Sequence, residues 1–167
     1  MVSACMEITT TRDIARQILR HRSFSFQEFS QRYADPTAEL ETAFVLRDAR
    51  FQDTQNRQNS IDLDPADYDQ QMLAYEWERA QKRVLFAVEQ EYKWAIKNGI
   101  AKEQARAVLP EGLTISRMYM NGTLRSWVHY IQLRSANGTQ KEHREVAIAC
   151  AKVIEPIFPM INEFITE

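Results

Sequence analysis

Residues 20–33 read RHRSFSFQEFSQRY, and this stretch decides how the rest of the chain is interpreted. It opens with the basic triplet Arg20, His21 and Arg22 and continues with phenylalanines that favour an extended segment. Taken alone, the triplet is explained by a helix that ends there, because cations near the carboxyl end complement the helix dipole. The polar side chains that follow stand among aromatic residues that ought to pack, and a helix end does not explain them.

The elements on either side of this stretch predict a domain of the α+β class in which helices dominate. Before it, alternating apolar residues over 3–9 predict a strand, and Ile14, Ile18 and Leu19 form the stripe of a helix. We predict Thr10 or Thr11 as its cap. After it we predict an irregular segment over 35–65 with a short strand around 44–51, a long helix over 67–98, a short helix over 102–109, a strand over 113–120, a helix over 123–133, and a last helix that Thr139 caps and that Pro156 and Pro159 close.

The long helix over 67–98 carries an apolar stripe with the helical period. Its members recur at spacings of four and three, and three further residues, Val88, Tyr92 and Ala95, broaden it. So wide an apolar surface on one helix is consistent with burial between subunits. The members of the stripe are Leu73, Trp77, Ala80, Val84 and Ala87.

The composition fits one ordinary globular domain and argues against several classes of partner. The chain has 167 residues, 44% hydrophobic and 26% charged, with a formal net charge of −2. No bulk positive field therefore points to nucleic acid or to an anionic membrane, and a bound anion must be held by arginines placed locally. No long apolar stretch or signal peptide is present.

The cysteines and histidines favour a cytoplasmic protein without a metal site. Cys5 and Cys150 form neither a CxxC pair nor a disulfide framework, which fits a reducing compartment, and we expect both to pack in the core. His21, His129 and His143 are too scattered to indicate zinc.

The stretch at 20–33 resembles the signature of the flavin-dependent thymidylate synthases, which is Arg-His-Arg, seven residues and then Ser. Gln27 stands where the family usually has Asn, and it keeps the amide on a longer arm. The signature positions here are Arg20, His21, Arg22 and Ser30.

Three further segments extend the resemblance, so that it covers nearly the whole chain from Met6 to Pro159. EQARAVLP at 103–110 resembles the family's EQAR-x-VLP segment, and LRSWVHYIQLR at 124–134 resembles its RSxxHFxxLR helix. QKEHR at 140–144 resembles its QxEIR pattern, with His143 in place of an apolar residue. A chance match to one motif would not recover the others.

The resemblance implies a fold and a reaction. The fold is a helix-rich single domain over residues 1–167 with a small, mostly antiparallel sheet and no Rossmann domain. The reaction converts dUMP to dTMP with methylenetetrahydrofolate as carbon donor, reduced FAD as hydride source and NADPH as reductant of the flavin. The family is homotetrameric, with active sites built from several subunits. It needs no enzyme cysteine as nucleophile, which suits a chain whose two cysteines lie outside the motifs.

The resemblance also assigns roles to residues. Arg134 is the implied catalytic residue, since a guanidinium against the pyrimidine would stabilise negative charge that develops on the ring. The residues implied to contact dUMP are Gln17, Arg20, Glu28, Ser30, Arg32, Arg106 and Arg134. The residues implied to hold FAD are Arg20, His21, Arg22, Glu28, Thr123, Leu124, Arg125 and His129.

A plainer interpretation exists for several of these side chains. Arg106, Arg125 and Arg134 could belong to solvated helix faces with salt bridges to Glu103 or Glu142. Arg125 and Arg134 are nine residues apart, so they cannot reach the same spot from one helix. Trp127 and Tyr130 are expected to be core residues.

Two other functions stay open from the sequence. The family has a sizeable segment before the strand at 3–9, with a His-containing stretch that serves the flavin site, so we expect the chain to be N-terminally incomplete. A catalytically inactive fragment that still binds flavin or nucleotide is therefore one alternative. A deoxyuridylate hydroxymethylase on the same scaffold is the other.

Overall fold

A computed structural model describes residues 2–166 of the chain. The expectation that the chain is N-terminally incomplete concerns the sequence around Met1, which lies outside the described residues. The strands are β1 (Ser3–Thr11), β2 (Ser25–Glu28), β3 (Arg50–Gln52), β4 (Ser60–Asp62) and β5 (Ile115–Thr123). The helices are α1 (Arg12–Ile18), α2 (Pro36–Glu39), α3 (Tyr68–Lys97), α4 (Lys102–Ala105), α5 (Leu124–Ser135) and α6 (Lys141–Ile154), with 3₁₀ turns at Arg106–Val108 and Pro159–Phe164. The α+β class with its small antiparallel sheet is confirmed.

The main sheet places β5 between β1 and β2, and both pairings are antiparallel. Alternate residues of each strand face one side of a sheet, so Met6 and Ile8 of β1 and Met118 and Met120 of β5 point into the same core. Helices α1, α5 and α6 cover that side. Their buried side chains include Ile14, Ile18, Trp127, Ile131 and Ala147.

The expectation that both cysteines pack in the core is right for Cys150 and wrong for Cys5. Cys150 is buried on α6, whereas Cys5 is exposed. The strand period explains the difference, because Cys5 lies between Met6 and the half-buried Ala4 and points to the opposite face of the sheet. The core assignments of Trp127 and Tyr130 are confirmed, with exposures of 0% and 1%.

Helix α3 begins and ends where the sequence predicts. The Asp67 side chain accepts from the backbone N–H groups of Asp69 and Gln70, and Gly99 adopts φ 76° just after the last turn. Its carboxyl end packs on the chain through Tyr92 and Ala95, which meet α4. In its middle, the buried Gln81 accepts from the Arg47 N–H and donates to the Arg47 carbonyl. The apolar stripe nearer the amino end of α3 is exposed to solvent, with Leu73, Trp77 and Val84 46%, 44% and 50% exposed.

The segment over 35–65 is more ordered than the sequence indicates. Asp35 accepts from the Thr37 N–H and starts α2, and Asp53 accepts from two backbone N–H groups in the loop that joins β3 and β4. Most of the strand expected around 44–51 is absent from the described structure, where Phe44 makes one bridge to Thr114 and β3 starts only at Arg50. These turns depend on side-chain contacts to the local backbone rather than on hydrophobic period.

The expected cap of the last helix is also wrong. Gln140, not Thr139, is the N-cap residue of α6, and its side chain makes no capping hydrogen bond. Thr139 lies one residue earlier, where its side chain is buried and its backbone N–H donates to the carbonyl of Ala136. Within residues 2–166, no helix combines the length and the apolar character needed to cross a bilayer.

Candidate active site

A polar junction forms where the carboxyl end of α1 meets α5 and α6. The chain turns back after α1, with the His21 N–H donating to the carbonyl of Ile18. This turn sets the His21 ring against Tyr130 with centroids 4.9 Å apart, and Arg134 Nε donates to His21 Nε2 over 2.9 Å. We call the group of Gln17, His21, Arg134, Gln140 and His143 the α1–α5–α6 junction.

The turn is held in place by a close approach of Phe24 to Gly122. A Cβ added to Gly122 would lie 2.4 Å from Phe24 Cδ1, so no larger residue fits there without displacing the ring. The Phe24 ring then packs edge-on against Trp127, with centroids 4.9 Å apart. The basic triplet is thereby fixed beside the first turns of α5.

A chain of hydrogen bonds runs from the junction to a group of charges. Gln17 Nε2 donates to Gln140 Oε1 over 2.8 Å, and Gln140 Nε2 donates to Glu142 Oε2 over 3.0 Å. Glu142 also pairs with Arg47 and Arg50, and Arg47 pairs in turn with Asp13. The two arginines are thus matched by two carboxylates, and the charge of this group is balanced inside the chain.

Both histidines of the junction are neutral at pH 7. Burial, and then the Arg134 guanidinium, lower the pKa of His21 to about 4. Burial lowers the pKa of His143 to about 3, with smaller contributions from Arg134 and His21. A neutral His21 that accepts at Nε2 carries its proton on Nδ1.

Arg134 keeps an uncompensated charge. Among residues 2–166 no carboxylate lies within ion-pair distance of its guanidinium, and its one hydrogen-bond partner is the neutral His21. Within the part of the chain that the structure describes, Arg134 therefore forms neither of the salt bridges that the plainer interpretation offered, to Glu103 or to Glu142. A half-buried guanidinium without a counter-ion can stabilise an anion strongly, because little water screens it.

A second polar group lies at the start of α1. Glu28 accepts a hydrogen bond from the Ser116 hydroxyl over 2.7 Å and stands 3.5 Å from Arg12 Nη1. Arg12 and Arg106 line one cleft of about 380 Å³. We call this the Arg106 cleft.

The other residues expected near dUMP lie around this cleft. Arg32 reaches Glu103 at 3.8 Å, and Arg106 Nε donates to the carbonyl of the same Glu103 over 3.2 Å. Ser30 is half-buried in the turn after β2, where its carbonyl accepts from Tyr33 and Ala34. Arg32 and Arg106 are thus brought together, while the Ser30 hydroxyl makes no hydrogen bond to either within residues 2–166.

The residues expected to hold FAD lie on neighbouring elements. Thr123 caps α5 by accepting from the Ser126 N–H, and Leu124 packs at the edge of the core. Arg20, Arg22, Arg125 and His129 are exposed, and the last two are four residues apart on one face of α5. In the described part of the chain, the arginines of this set form no ion pair.

The structure does not unite all the expected residues in one place. Gln17 and Arg12 are at opposite ends of α1, five residues or roughly 7 Å of helix apart. The α1–α5–α6 junction and the Arg106 cleft are accordingly two separate groups on this chain. Among the described residues, no group of three or more His, Cys, Asp or Glu side chains is placed to bind a metal ion.

Several polar residues of these groups were not among the expected site residues. His143 and Gln140 belong to the junction, Gln140 links it to Glu142, and Arg47 and Arg50 pair with that carboxylate. The sequence carried a signal only for His143, which is one turn before Ala147 on the apolar face of α6. A histidine on such a face needs a polar partner from another element, and the sequence cannot name it.

Comparisons with known proteins give the same family for nearly the whole chain. The family model described as "Thymidylate synthase complementing protein" matches residues 1–160. The flavin-dependent thymidylate synthase of Synechocystis is 48% identical over 161 residues, which cover 96% of this chain and 70% of that protein. The probable flavin-dependent thymidylate synthase of Paramecium bursaria Chlorella virus 1 is 50% identical over 157 residues, covering 93% and 68%.

Comparison with solved structures agrees with this family assignment. The UMP/dUMP methylase PolB from Streptomyces cacaoi, bound with 5-Br UMP, superposes with a TM-score of 0.80 at 25% identity, covering 97% of this chain and 72% of that one. With 5-Br dUMP bound, the same methylase gives a TM-score of 0.77. With the matched residues, the identities and the shared fold in agreement, this chain belongs to the thymidylate synthase complementing protein family.

Proposed function

We propose that this protein is a flavin-dependent thymidylate synthase that converts dUMP to dTMP. Relatives at 48% and 50% identity carry that name, and the structural neighbour is a methylase of the same pyrimidine nucleotide. The observation that carries the proposal is the placement of Arg134, an uncompensated guanidinium held by the neutral His21. The His21 ring lies 6.2 Å from that of His143, which is hydrogen-bonded to Gln17. We further propose methylenetetrahydrofolate as carbon donor and NADPH as the source of reducing equivalents.

The exposed basic residues around α5 fit FAD by their chemistry. A dinucleotide with a diphosphate needs cationic donors that are not already neutralised, and Arg20, Arg22 and Arg125 form no ion pair within residues 2–166. When bound, the reduced flavin supplies a hydride. In this proposal His21, Glu28, Thr123, Leu124 and His129 complete its site.

Arg134 is proposed to stabilise negative charge on the pyrimidine. Its Nε is committed to His21, which fixes the plane of the guanidinium, and the two Nη groups are left to face a ligand. A carbanion that forms on the ring during carbon transfer is favoured by a nearby cation that needs no reorganisation. Gln17 beside it is proposed to contact the same nucleotide.

The remaining nucleotide contacts are assigned to the turn after α1 and to the Arg106 cleft. Arg20, Glu28 and Ser30 would reach the sugar or base, while Arg32 and Arg106 suit a phosphate because forked guanidinium groups bind its oxygens in pairs. These residues are distributed over both ends of α1 in one chain. From the family resemblance and the exposed apolar stripe of α3, we propose a homotetramer in which the groups from different copies complete one site.

The cysteines give no support to an enzyme nucleophile. Burial raises the pKa of the Cys150 thiol to about 12, so the thiolate is not formed at neutral pH. Cys5 is exposed on β1, opposite Asn121 in the sheet, and no base within residues 2–166 is hydrogen-bonded to it. Methyl transfer through the cofactor, without a covalent cysteine adduct, suits this arrangement.

The test is anaerobic mixing of the photoreduced protein with dUMP and methylenetetrahydrofolate. We expect flavin oxidation that depends on dUMP and a product with the mass of dTMP. A sample without dUMP is the control for oxidation by residual oxygen. A product with the mass of hydroxymethyl-dUMP would replace the synthase with the hydroxymethylase, and flavin that stays reduced would favour the inactive fragment.

A further inference from the structure

A histidine with no exposed surface lies on the apolar face of α6. His143 is 0% exposed, and the residues that follow it on this face, Ala147, Cys150 and Ile154, are apolar and buried. Its ring packs near Tyr130 and His21, with centroids 5.8 Å and 6.2 Å away. Burying an imidazole here costs free energy unless a hydrogen bond compensates for the lost water.

The hydrogen bonds around His143 have only one consistent direction. Burial raises the pKa of Glu142, but its own backbone N–H, the Arg47 guanidinium and the Gln140 amide outweigh this, so the pKa stays below its usual value. Glu142 is therefore a carboxylate that only accepts, and Gln140 must turn its Nε2 toward it. Gln140 Oε1 then accepts from Gln17 Nε2, which leaves Gln17 Oε1 facing His143 Nδ1 at 3.2 Å.

His143 must consequently donate from Nδ1. Its depressed pKa keeps the ring neutral, so a proton on Nδ1 leaves Nε2 as an acceptor. That Nε2 is buried and has no hydrogen-bond partner within residues 2–166. The only hydrogen bond that the His143 side chain makes there is the one to Gln17.

We propose that His143 is a positioning residue that holds the Gln17 carboxamide in a single orientation. Gln140 fixes one N–H of Gln17, and His143 fixes its carbonyl oxygen, so the second N–H is presented in a defined direction. This inference rests on the proposed function, in which Gln17 contacts dUMP. His143 acts through Gln17 and does not itself touch the nucleotide.

Leucine and asparagine at position 143 form a matched pair for the test. Both side chains branch at Cγ and have the same number of heavy atoms, and the Asn Nδ2 takes the place of the imidazole Nδ1 as a donor. We expect His143→Leu to raise the Kd for dUMP of the holoenzyme about 5- to 30-fold, the effect of one lost hydrogen bond in a half-buried site. His143→Asn is expected to stay within roughly twofold of wild type, because it keeps that bond.

The same pair in a Gln17→Ala background separates positioning from packing. With the amide removed, His143→Leu should weaken dUMP binding no further than His143→Asn does. A loss of affinity that persists without Gln17 would overturn the proposal, and so would equal losses in His143→Leu and His143→Asn. Thermal unfolding of each variant shows whether the affinities are compared between folded proteins.

The tautomer of His143 gives a readout that needs no substitution at this position. Histidine ¹⁵N shifts of the wild-type protein should show Nδ1 protonated and Nε2 bare, and a proton on Nε2 would overturn the proposal even if His143→Leu did not fold. Wild-type protein that does not bind dUMP at all would instead refute the proposed function. The two failures are therefore distinguishable.

Discussion

The α1–α5–α6 junction and the apolar stripe of α3 differ in whether the chain itself supplies partners for their side chains. In the junction, Gln17, Gln140 and His143 are joined by hydrogen bonds that run in one direction between α1 and α6. On α3, Leu73 and Trp77 are nearly half exposed, and within residues 2–166 neither belongs to a buried core cluster or to the residues packed on one. The first region is arranged by the chain alone, whereas the second is an apolar surface of the kind that partners cover.

This difference predicts that the two regions fail in different ways. A change in the junction should alter binding or chemistry and leave the assembly intact. A change in the α3 stripe should alter the assembly first and the chemistry only through it. Each prediction below tests one side of that separation.

The largest effect is expected from Arg134→Ala in the junction. Loss of the uncompensated guanidinium should lower the rate of dTMP formation by about 100- to 1,000-fold, the usual effect of one electrostatic stabiliser. The flavin content should stay at the wild-type level, since Arg134 is not among the residues proposed to hold FAD. Product formation and flavin absorbance of the purified protein measure both.

Arg57→Ala is the matched control for that experiment. Arg57 is an exposed arginine in the loop between β3 and β4 and forms no ion pair in the described part of the chain. Its removal should leave the rate unchanged. Near wild-type activity in Arg134→Ala would mean that the catalytic assignment is wrong.

A smaller effect is expected from Leu73→Glu in the stripe. If subunits bury Leu73, a carboxylate there loses apolar burial and meets an apolar partner, which should weaken assembly by roughly 100-fold. The molar mass from light scattering, measured over a dilution series, checks this. Activity should fall only at concentrations where the assembly dissociates.

Gln90→Glu introduces the same charge at an exposed polar position of α3 and serves as the control. It should leave the molar mass unchanged. Dissociation by both variants would point to charge on the helix rather than to the stripe. An unaltered assembly in Leu73→Glu would show that this surface is not a subunit interface.

The sequence was sufficient where structure follows from local period. Alternation over 3–9 predicted β1, and the spacing of apolar residues predicted α3, α5 and α6, because burial on one face imposes those periods. It was insufficient for the hairpin of β3 and β4, which depends on the contacts of Asp53 to the backbone.

In the candidate site, too, part could be identified from the sequence and part could not. The resemblance supplied Gln17, His21 and Arg134 as candidates, and the structure brings them to one junction. It could not supply the bond from Gln17 to Gln140, because these residues are 123 positions apart and meet only when α1 packs on α6. Long-range polar contacts leave no periodic trace in a sequence.

The smallest effect concerns how the stability of the junction depends on pH. His143 has a folded pKa of about 3 and His21 one of about 4, both below the ordinary histidine pKa of 6.5 because the rings are buried. Between pH 6.5 and the folded pKa, the unfolded chain binds protons that the folded chain does not, so stability falls as pH falls. Above pH 6.5 both states are neutral at these rings, and they add no pH dependence.

Lowering the pH from 6.5 to 5 should reduce the free energy of unfolding by about 2 kcal/mol through the fully buried His143. The reduction through the half-exposed His21 should be smaller. Urea unfolding at pH 7.5 and pH 5 measures this. His143→Asn should remove its share of the decline, whereas replacing the exposed His129 with Asn should not. Glu142 contributes little in this window, because the pKa of its carboxyl in the unfolded chain is 4.5 and most of its stabilisation is lost below that pH. If the free energy of unfolding declined equally in wild type and in His143→Asn, His143 would be protonated in the folded protein at pH 5. The junction would then be open to protons, and the contrast with the exposed α3 stripe would be lost.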